Sequence, residues 1–212
     1  MEKIYLHPLP VRIWHWMNAI SFLMLIVTGL QIRYSGVLNL MSFSTAVDVH
    51  NIFGFIMSGN FLLWLFYHVL STKIDIYMPS DIRKHNEGTV RQALHYAYGI
   101  FRGEQAPHHP SINRKFNALQ QIAYLNIMTL LIPTTILTGF MLWDAKFFSK
   151  WIVFLGGIRV VDSVHVLLFL FFSSFLFVHI YLATLGSTPL AHIKAMITGY
   201  EEAESEHAHD FD

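Results

Sequence analysis

Four long apolar segments constrain the fold of this chain more than any other feature of its sequence. They cover residues 14–32, 51–70, 122–143 and 160–185. A helix of about 20 apolar residues is long enough to cross the hydrocarbon core of a bilayer. Since 54% of the chain is hydrophobic and only 13% is charged, a soluble domain of this length would lack polar surface. We therefore predict an all-α membrane protein with four transmembrane helices, the first of which lacks the cleavage site of a signal peptide.

The distribution of Lys and Arg predicts the orientation of these helices. If the N-terminus is cytoplasmic, the inner segments carry ten basic residues, namely Lys3, Arg12, Lys73, Arg83, Lys84, Arg91, Arg102, Arg114, Lys115 and Lys194. The outer loops then carry four, namely Arg33, Lys146, Lys150 and Arg159. Cytoplasmic loops are enriched in basic residues. We therefore expect both termini to be cytoplasmic, in a bacterial inner membrane.

The connection formed by residues 71–115, between the second and third segments, contains a further helical pattern. Its apolar residues recur at helical spacing, namely Val90, Ala93, Leu94, Ala97 and Phe101. This pattern predicts an amphipathic cytoplasmic helix that lies on the inner leaflet. After the fourth segment we expect a short helix capped by Thr188 and ended by Gly199, with Leu190, Ile193 and Ile197 as its buried stripe.

The end of the chain differs in composition from the rest. Residues 201–212 carry six acidic side chains, namely Glu201, Glu202, Glu204, Glu206, Asp210 and Asp212. Such a charge-rich segment is typically solvated and disordered. We therefore divide the chain into a membrane domain, residues 1–200, and an acidic tail, residues 201–212.

Two histidines in the fourth apolar segment are the main functional signal. His165 and His179 lie fourteen residues apart. In an α-helix this spacing leaves two side chains within about 40° of each other on one face, about 21 Å apart along the axis. An ionisable residue within a membrane span is a candidate functional residue by default. The spacing therefore predicts two sites, one near each membrane boundary.

Histidines of the other segments match these two depths. His50 is expected at the outer level with His165, and His15 at the inner level with His179, where His68 is a third candidate. Two pairs at two depths are what two bis-histidine haems would require. The chain has no cysteine, which excludes iron–sulfur clusters and covalently attached c-type haem.

Small and basic residues near the histidines fit such a site. Gly29, Gly54 and Gly139 would let a macrocycle lie close to a helix, or would serve helix packing alone. Arg12, one turn before His15, is a candidate partner for an inner propionate, and Arg159 for an outer one. The alternative for both arginines is ordinary snorkelling to the membrane surface.

Several motifs resemble the cytochrome b561/Ni,Fe-hydrogenase b-subunit superfamily, which includes the formate dehydrogenase gamma subunits. The motifs lie within residues 3–200 and comprise Arg12-Ile13-Trp14-His15-Trp16, Val47-Asp48-Val49-His50, the fourteen-residue histidine spacing and His179-Ile180-Tyr181-Leu182. A particular resemblance to thiosulfate reductase cytochrome b subunits lies in Lys3-Ile4-Tyr5, Phe101-Arg102-Gly103-Glu104 and His192-Ile193-Lys194-Ala195-Met196-Ile197-Thr198-Gly199. The resemblance implies a four-helix bundle with two haems b, bound by His50 with His165 and by His15 with His179.

The resemblance also implies a substrate and partners. Asn117 matches an asparagine that lines the quinone site in formate dehydrogenase gamma subunits, whereas Leu119 replaces a nearby glycine. His68, His95 and Gln120 are candidates for proton delivery. Electrons would pass between membrane quinone (menaquinone or ubiquinone) and a periplasmic iron–sulfur, molybdenum, nickel–iron or multihaem redox subunit.

Other classes of function fit the sequence less well. A transporter or metal carrier would also place histidines in the membrane, but the sequence shows no paired intramembrane carboxylates and no inverted repeat. A membrane metalloprotease would need a His-Glu-x-x-His motif, which is absent. An inert anchor subunit would not explain four matched histidines. A formal net charge of zero argues against nucleic acid as a partner.

Overall fold

The computed structural model describes residues 2–71, 82–105, 107, 116–186 and 188–203, which fall into two compact units. The bundle unit consists of Ile13–Tyr67 and Met128–Ile180. The terminal unit consists of Met1–Arg12, His68–Ile127 and Tyr181–Asp212. In chain order the elements are β1 Glu2–Tyr5, α1 Leu9–Arg33, α2 Phe43–Leu70, α3 Ile82–Leu94, α4 Ala118–Asn126, α5 Ile132–Trp143, α6 Ser149–Phe154, α7 Ile158–Ala183, α8 Ala191–Thr198 and β2 Tyr200–Ala203.

Four helices are long and apolar enough to cross a membrane. They are Leu9–Arg33, Phe43–Leu70, Ala118–Trp143 and Ile158–Ala183. Each contains one of the four apolar segments or nearly all of it. The prediction of an almost wholly helical protein with four membrane-spanning helices is therefore confirmed.

Helix α2 begins eight residues before its apolar segment. Ser42 caps it, since the Ser42 hydroxyl accepts a hydrogen bond from the Thr45 backbone N–H at 3.1 Å. A serine that satisfies one of the free N–H groups of the first turn is a preferred helix start. The first turns of α2 mix apolar residues with Ser44, Thr45, Asp48 and His50, so hydropathy alone did not show them.

The third span contains a local change of helical pitch. Between α4 and α5, residues Ile127–Leu131 form a π-helical turn. Pro133 follows in the first turn of α5. Proline has no N–H to donate and its ring crowds the preceding turn, so a wider turn immediately before it lets the helix continue.

Helix α1 turns apolar side chains outward and buries polar ones. On α1, exposed Ile13, Met17 and Ile20 are spaced as one helical face. The buried residues of the same helix are polar, namely Ser21, Thr28 and Gln31. Contact with lipid explains this arrangement, because lipid tails accept an apolar face and small polar residues support close helix packing.

The helix predicted between the second and third spans is α3. It is extended by a π-helical turn, His95–Gly99, and a 3₁₀ turn, Ile100–Arg102. Its exposed stripe is apolar, namely Val90, Leu94, Tyr98 and Phe101, whereas Gln92 and His95 are buried. An exposed apolar stripe suits a helix that rests on a membrane surface.

The two ends of the chain pair with each other in the terminal unit. Strands β1 and β2 are antiparallel, with Tyr5 opposite Tyr200. The Gly199 carbonyl accepts hydrogen bonds from the N–H groups of Leu6 and His7 at 3.0 and 3.1 Å. Gly199 has a φ of +92°, and a Cβ there would lie 2.6 Å from the Tyr5 ring, so both conformation and space require glycine.

This pairing changes the predicted C-terminal region. The first residues of the predicted acidic tail, 201–203, belong to β2, while residues 204–212 lie outside the described part of the chain. Gly199 ends α8 as expected, but Leu190 rather than Thr188 precedes its first residue, without a side-chain cap. The expected buried stripe is also wrong, since Leu190 and Ile197 are exposed and Ala195 is buried.

Candidate functional site

Two pairs of histidines face each other in the bundle unit. The ring centres of His50 on α2 and His165 on α7 lie 6.3 Å apart. The ring centres of His15 on α1 and His179 on α7 lie 6.1 Å apart. Helix α7 therefore contributes one histidine to each pair, and the fourteen-residue spacing separates the pairs by about 21 Å along that helix.

The spacing within each pair fits a metal ion bound between two imidazoles. Metal–imidazole bonds are about 2 Å long, and each ring centre lies about 1 Å beyond its nitrogen, so bound ring centres are about 6 Å apart. Among the described residues there is no group of three or more His, Cys, Asp or Glu that could hold a metal ion. Two imidazoles alone suit a metal that brings its other ligands with it, as haem iron does.

A partly open cavity lies beside His50 and His165. It has a volume of about 120 Å³. Its wall includes Gly54 and Gly139 together with six aromatic rings, those of Phe22, Phe55, Phe140, Trp143, Phe169 and Phe172. An apolar, aromatic wall with two histidines suits a flat, largely apolar cofactor such as haem.

Two threonines contact the histidines of this pair. The Thr28 hydroxyl oxygen lies 2.9 Å from His50 Nδ1, and the Thr138 hydroxyl oxygen lies 2.9 Å from His165 Nδ1. Both threonines are buried. The two contacts repeat the same arrangement on α1 and on α5.

The three predicted glycines have different surroundings. A Cβ on Gly29 would lie 3.5 Å from Cε1 of His50, and one on Gly139 would lie 3.4 Å from Cε1 of His165. These two glycines therefore lie directly beside the histidine rings, at a distance where a Cβ would make ordinary van der Waals contact. Around Gly54 nothing lies within 4 Å of such a Cβ, so its open side faces the cavity that it lines.

The second pair lies among aromatic rings. The ring of Phe175 stacks on His179, with centres 5.7 Å apart and planes 17° apart. Trp16 meets His15 edge to face at 5.3 Å. Because α7 turns both Phe175 and His179 to the same face, one helical turn apart, the stacking limits the orientation of the histidine ring.

A buried amide of the bundle unit was not singled out from the sequence. Asn60 on α2 is 2% exposed, and its Nδ2 donates to the Trp14 carbonyl and to Asn18 Oδ1 at 3.1 and 2.9 Å. Its Oδ1 has no hydrogen-bond partner within the described residues. An asparagine inside an apolar segment was the available signal, because polar groups in a membrane span are costly.

Asn117, the predicted quinone ligand, lies in the terminal unit and caps α4. Its Oδ1 accepts from the Gln120 N–H at 2.8 Å, and Gln120 Oε1 accepts from the Asn117 N–H at 3.1 Å. Its Nδ2 donates to the Tyr96 hydroxyl at 3.2 Å. Burial raises the pKa of the Tyr96 phenol above its usual value, so this hydroxyl stays protonated. The amide thus has a structural role, and the sequence signal for it was the capping-box pattern Asn-x-x-Gln.

The remaining candidates are spread over both units. The Arg12 guanidinium donates to the Ile197 carbonyl within the terminal unit. His68 and His95 are buried in that unit and Gln120 belongs to the capping box of α4. Arg159 lies exposed in the first turn of α7, in the bundle unit. The histidine pairs themselves are thus built entirely from residues of the bundle unit.

The chain is similar in sequence to known cytochromes. Residues 6–199 match the family described as prokaryotic cytochrome b561. The chain is also 33% identical over 201 residues to the Escherichia coli (strain K12) protein named "Putative cytochrome YdhU", a match that covers 94% of this chain and 75% of that protein. No solved structure is significantly similar to the chain. Because the family match spans all four transmembrane helices and all four paired histidines, the chain belongs to the prokaryotic cytochrome b561 family.

Proposed function

We propose that this protein is the membrane-anchoring di-haem cytochrome b subunit of a respiratory oxidoreductase complex. The prokaryotic cytochrome b561 family binds haem b, and membership indicates a membrane cytochrome b that acts in electron transfer. The proposal of two haems rests on one observation. His50 and His165 form one pair and His15 and His179 form another, and helix α7 contributes one histidine to each pair at a different level of the bundle unit. One haem for each pair accounts for all four histidines.

The four histidines are divided between two haems in this proposal. His50 and His165 would hold one haem b beside the cavity, and His15 and His179 would hold the other. Bound haem b would supply one-electron redox chemistry. The protein would supply the axial imidazoles, the apolar surroundings and the hydrogen bonds to the rings, which together tune the reduction potential of such a centre.

We place both termini in the cytoplasm of a bacterium whose inner membrane holds the protein. Ten basic residues against four support this orientation. The pairing of β1 with β2 supports two termini on the same side of the membrane, and the basic residues favour the cytoplasmic side. In this orientation His50 and His165 lie at the periplasmic level, and His15 and His179 lie at the cytoplasmic level.

The proposed partners follow from that orientation. A periplasmic iron–sulfur, molybdenum, nickel–iron or multihaem redox subunit would dock on the outer loops, next to His50 and His165. The quinone, menaquinone or ubiquinone, would react at the cytoplasmic level.

An optical spectrum tests the central proposal. Purified protein reduced with dithionite should show sharp b-type absorption bands, and a pyridine haemochrome assay should give two haems b per chain. Two haems distinguish this proposal from a transporter or metal carrier, which would contain none. A single haem per chain would contradict the di-haem arrangement, because one histidine pair would then be unused.

The proposed quinone role of Asn117 can be separated from its role as a helix cap. We expect Asn117→Ala and Asn117→Asp both to slow the reaction of haem b with a menaquinol analogue, with both haems retained. Aspartate preserves the cap, since its carboxylate accepts from the Gln120 N–H as the amide does, but it removes the Nδ2 donor. Stopped-flow absorbance at the b-type bands measures the rate.

The two variants give different results if the amide serves only the fold. Loss of an N-cap costs about 1 kcal/mol of stability, so a capping role alone predicts a lower melting temperature for Asn117→Ala and normal kinetics for Asn117→Asp. Normal kinetics in both variants would remove Asn117 from the quinone site and favour a site at the periplasmic level.

A further inference from the structure

The contacts of Thr28 and Thr138 determine where the protons of the histidine rings lie. A threonine hydroxyl has one proton to donate and can also accept. The Thr28 hydroxyl donates to the Met24 carbonyl at 2.7 Å, and the Thr138 hydroxyl donates to the Thr134 carbonyl at 2.8 Å. Since each proton is directed to the backbone of its own helix, each hydroxyl oxygen can only accept from the histidine Nδ1 that lies 2.9 Å away.

A neutral imidazole has a single N–H. With that proton on Nδ1, the lone pair of each ring is on Nε2.

The residue after each threonine also lies against the histidine ring. Gly29 directly follows Thr28, and Gly139 directly follows Thr138. A Cβ at Gly29 would lie 3.5 Å from Cε1 of His50, and one at Gly139 would lie 3.4 Å from Cε1 of His165, which is ordinary van der Waals contact. Each Thr-Gly dipeptide therefore lies beside one histidine ring, and the threonine hydroxyl is the group that fixes the tautomer.

We propose that Thr28 and Thr138 are positioning residues that hold His50 and His165 as Nδ1–H tautomers and so present both Nε2 atoms to one haem. This inference rests on the proposed function, since it concerns the same site. Hydrogen bonds from ligand N–H groups orient the rings and make them more basic. A more basic axial ligand favours ferric over ferrous iron, so the two threonines lower the reduction potential of this haem.

Valine and serine variants test this role. Valine keeps the shape of threonine without the hydroxyl, whereas serine keeps the hydroxyl. For Thr28→Val, Thr138→Val and the double variant, potentiometric titration of the b-type bands should show a positive shift of one of the two haems. In the double variant we expect a shift of up to about 59 mV, which corresponds to a tenfold change in a one-electron equilibrium. The other haem should keep its potential.

The controls distinguish tautomer control from packing. Thr28→Ser and Thr138→Ser should restore the wild-type potential and the low-temperature electron paramagnetic resonance signals of both oxidised haems. If a valine variant loses one haem, its serine counterpart should retain both. Equal shifts of both haems, equal effects of valine and serine, or unchanged potentials in a double variant with two haems would each overturn the inference.

Failure of the proposed function would give a different result. It would appear in the wild-type protein, as fewer than two haems per chain, or in His50→Ala and His165→Ala variants that retain two haems. The threonine variants are interpreted only against a wild type with two haems. The potential and resonance measurements thus test the hydroxyls separately from the ligands.

Discussion

Replacing His165 with alanine is expected to remove one of the two haems b and to leave the other in place, and replacing His179 should do the same at the other level. A low-spin haem iron with two axial imidazoles loses half of its protein bonds when one is removed, and little else in an apolar wall replaces it. Because α7 contributes one ligand to each pair, two substitutions on one helix should give two separate losses. Pyridine haemochrome content should fall by half in each variant.

Alanine variants of His50 and His15 test which histidines form each pair. His50→Ala should leave the same surviving haem as His165→Ala, with identical reduced spectrum and potential, and His15→Ala should match His179→Ala. A match between His50→Ala and His179→Ala would show that the pairing is wrong. His68→Ala is the control, because His68 is buried in the terminal unit and should be dispensable for haem. Loss of a haem in that variant would make His68 a ligand in place of His15.

The parts of the structure that follow from helix geometry could be predicted from the sequence. Apolar length predicts a membrane-spanning helix because the bilayer has a fixed thickness. The angle between His165 and His179 follows from 3.6 residues per turn once the segment is helical. The structure brings His179 near His15 and His165 near His50, although the sequence left His68 open as an alternative to His15.

The parts that depend on contacts between distant segments could not be predicted. Strands β1 and β2 lie at opposite ends of the chain, and β2 contains acidic residues whose charge indicated a solvated tail. The hydroxyl contacts of Thr28 and Thr138 depend on how α1 and α5 are rotated about their axes, which hydropathy does not determine. The sequence indicated Gly29 and Gly139 as close-packing sites, but it did not indicate the preceding threonines as partners of the histidines.

The sequence around Asn117 also contained a local structural signal. The Asn-x-x-Gln pattern at residues 117–120 predicts a capping box, which the structure contains. The same asparagine was interpreted through a family resemblance as a quinone ligand. Since one side chain can cap a helix and still offer a remaining donor, only the paired Ala and Asp variants separate the two roles.

The substitution Gly54→Phe is expected to prevent binding of the haem held by His50 and His165 and to leave the other haem unaffected. Gly54 lies one turn after His50 on α2 and lines the cavity, and nothing lies within 4 Å of where its Cβ would be. A phenyl ring there would occupy the space that the macrocycle needs. The substitution should not weaken the helix, since glycine is worse in a helix interior than phenylalanine by a few tenths of a kcal/mol.

A matched substitution on the same helix gives the control. Gly59 is also in the interior of α2 and has nothing within 4 Å of its Cβ position, but it is exposed and does not line the cavity. Gly59→Phe should therefore keep two haems, as should Gly54→Ala, which adds only a methyl group. Gly54→Phe should reproduce the haem content and the surviving potential of His165→Ala. If Gly54→Phe binds two haems, the cofactor does not occupy this cavity, and the histidine pair must hold its haem from another side.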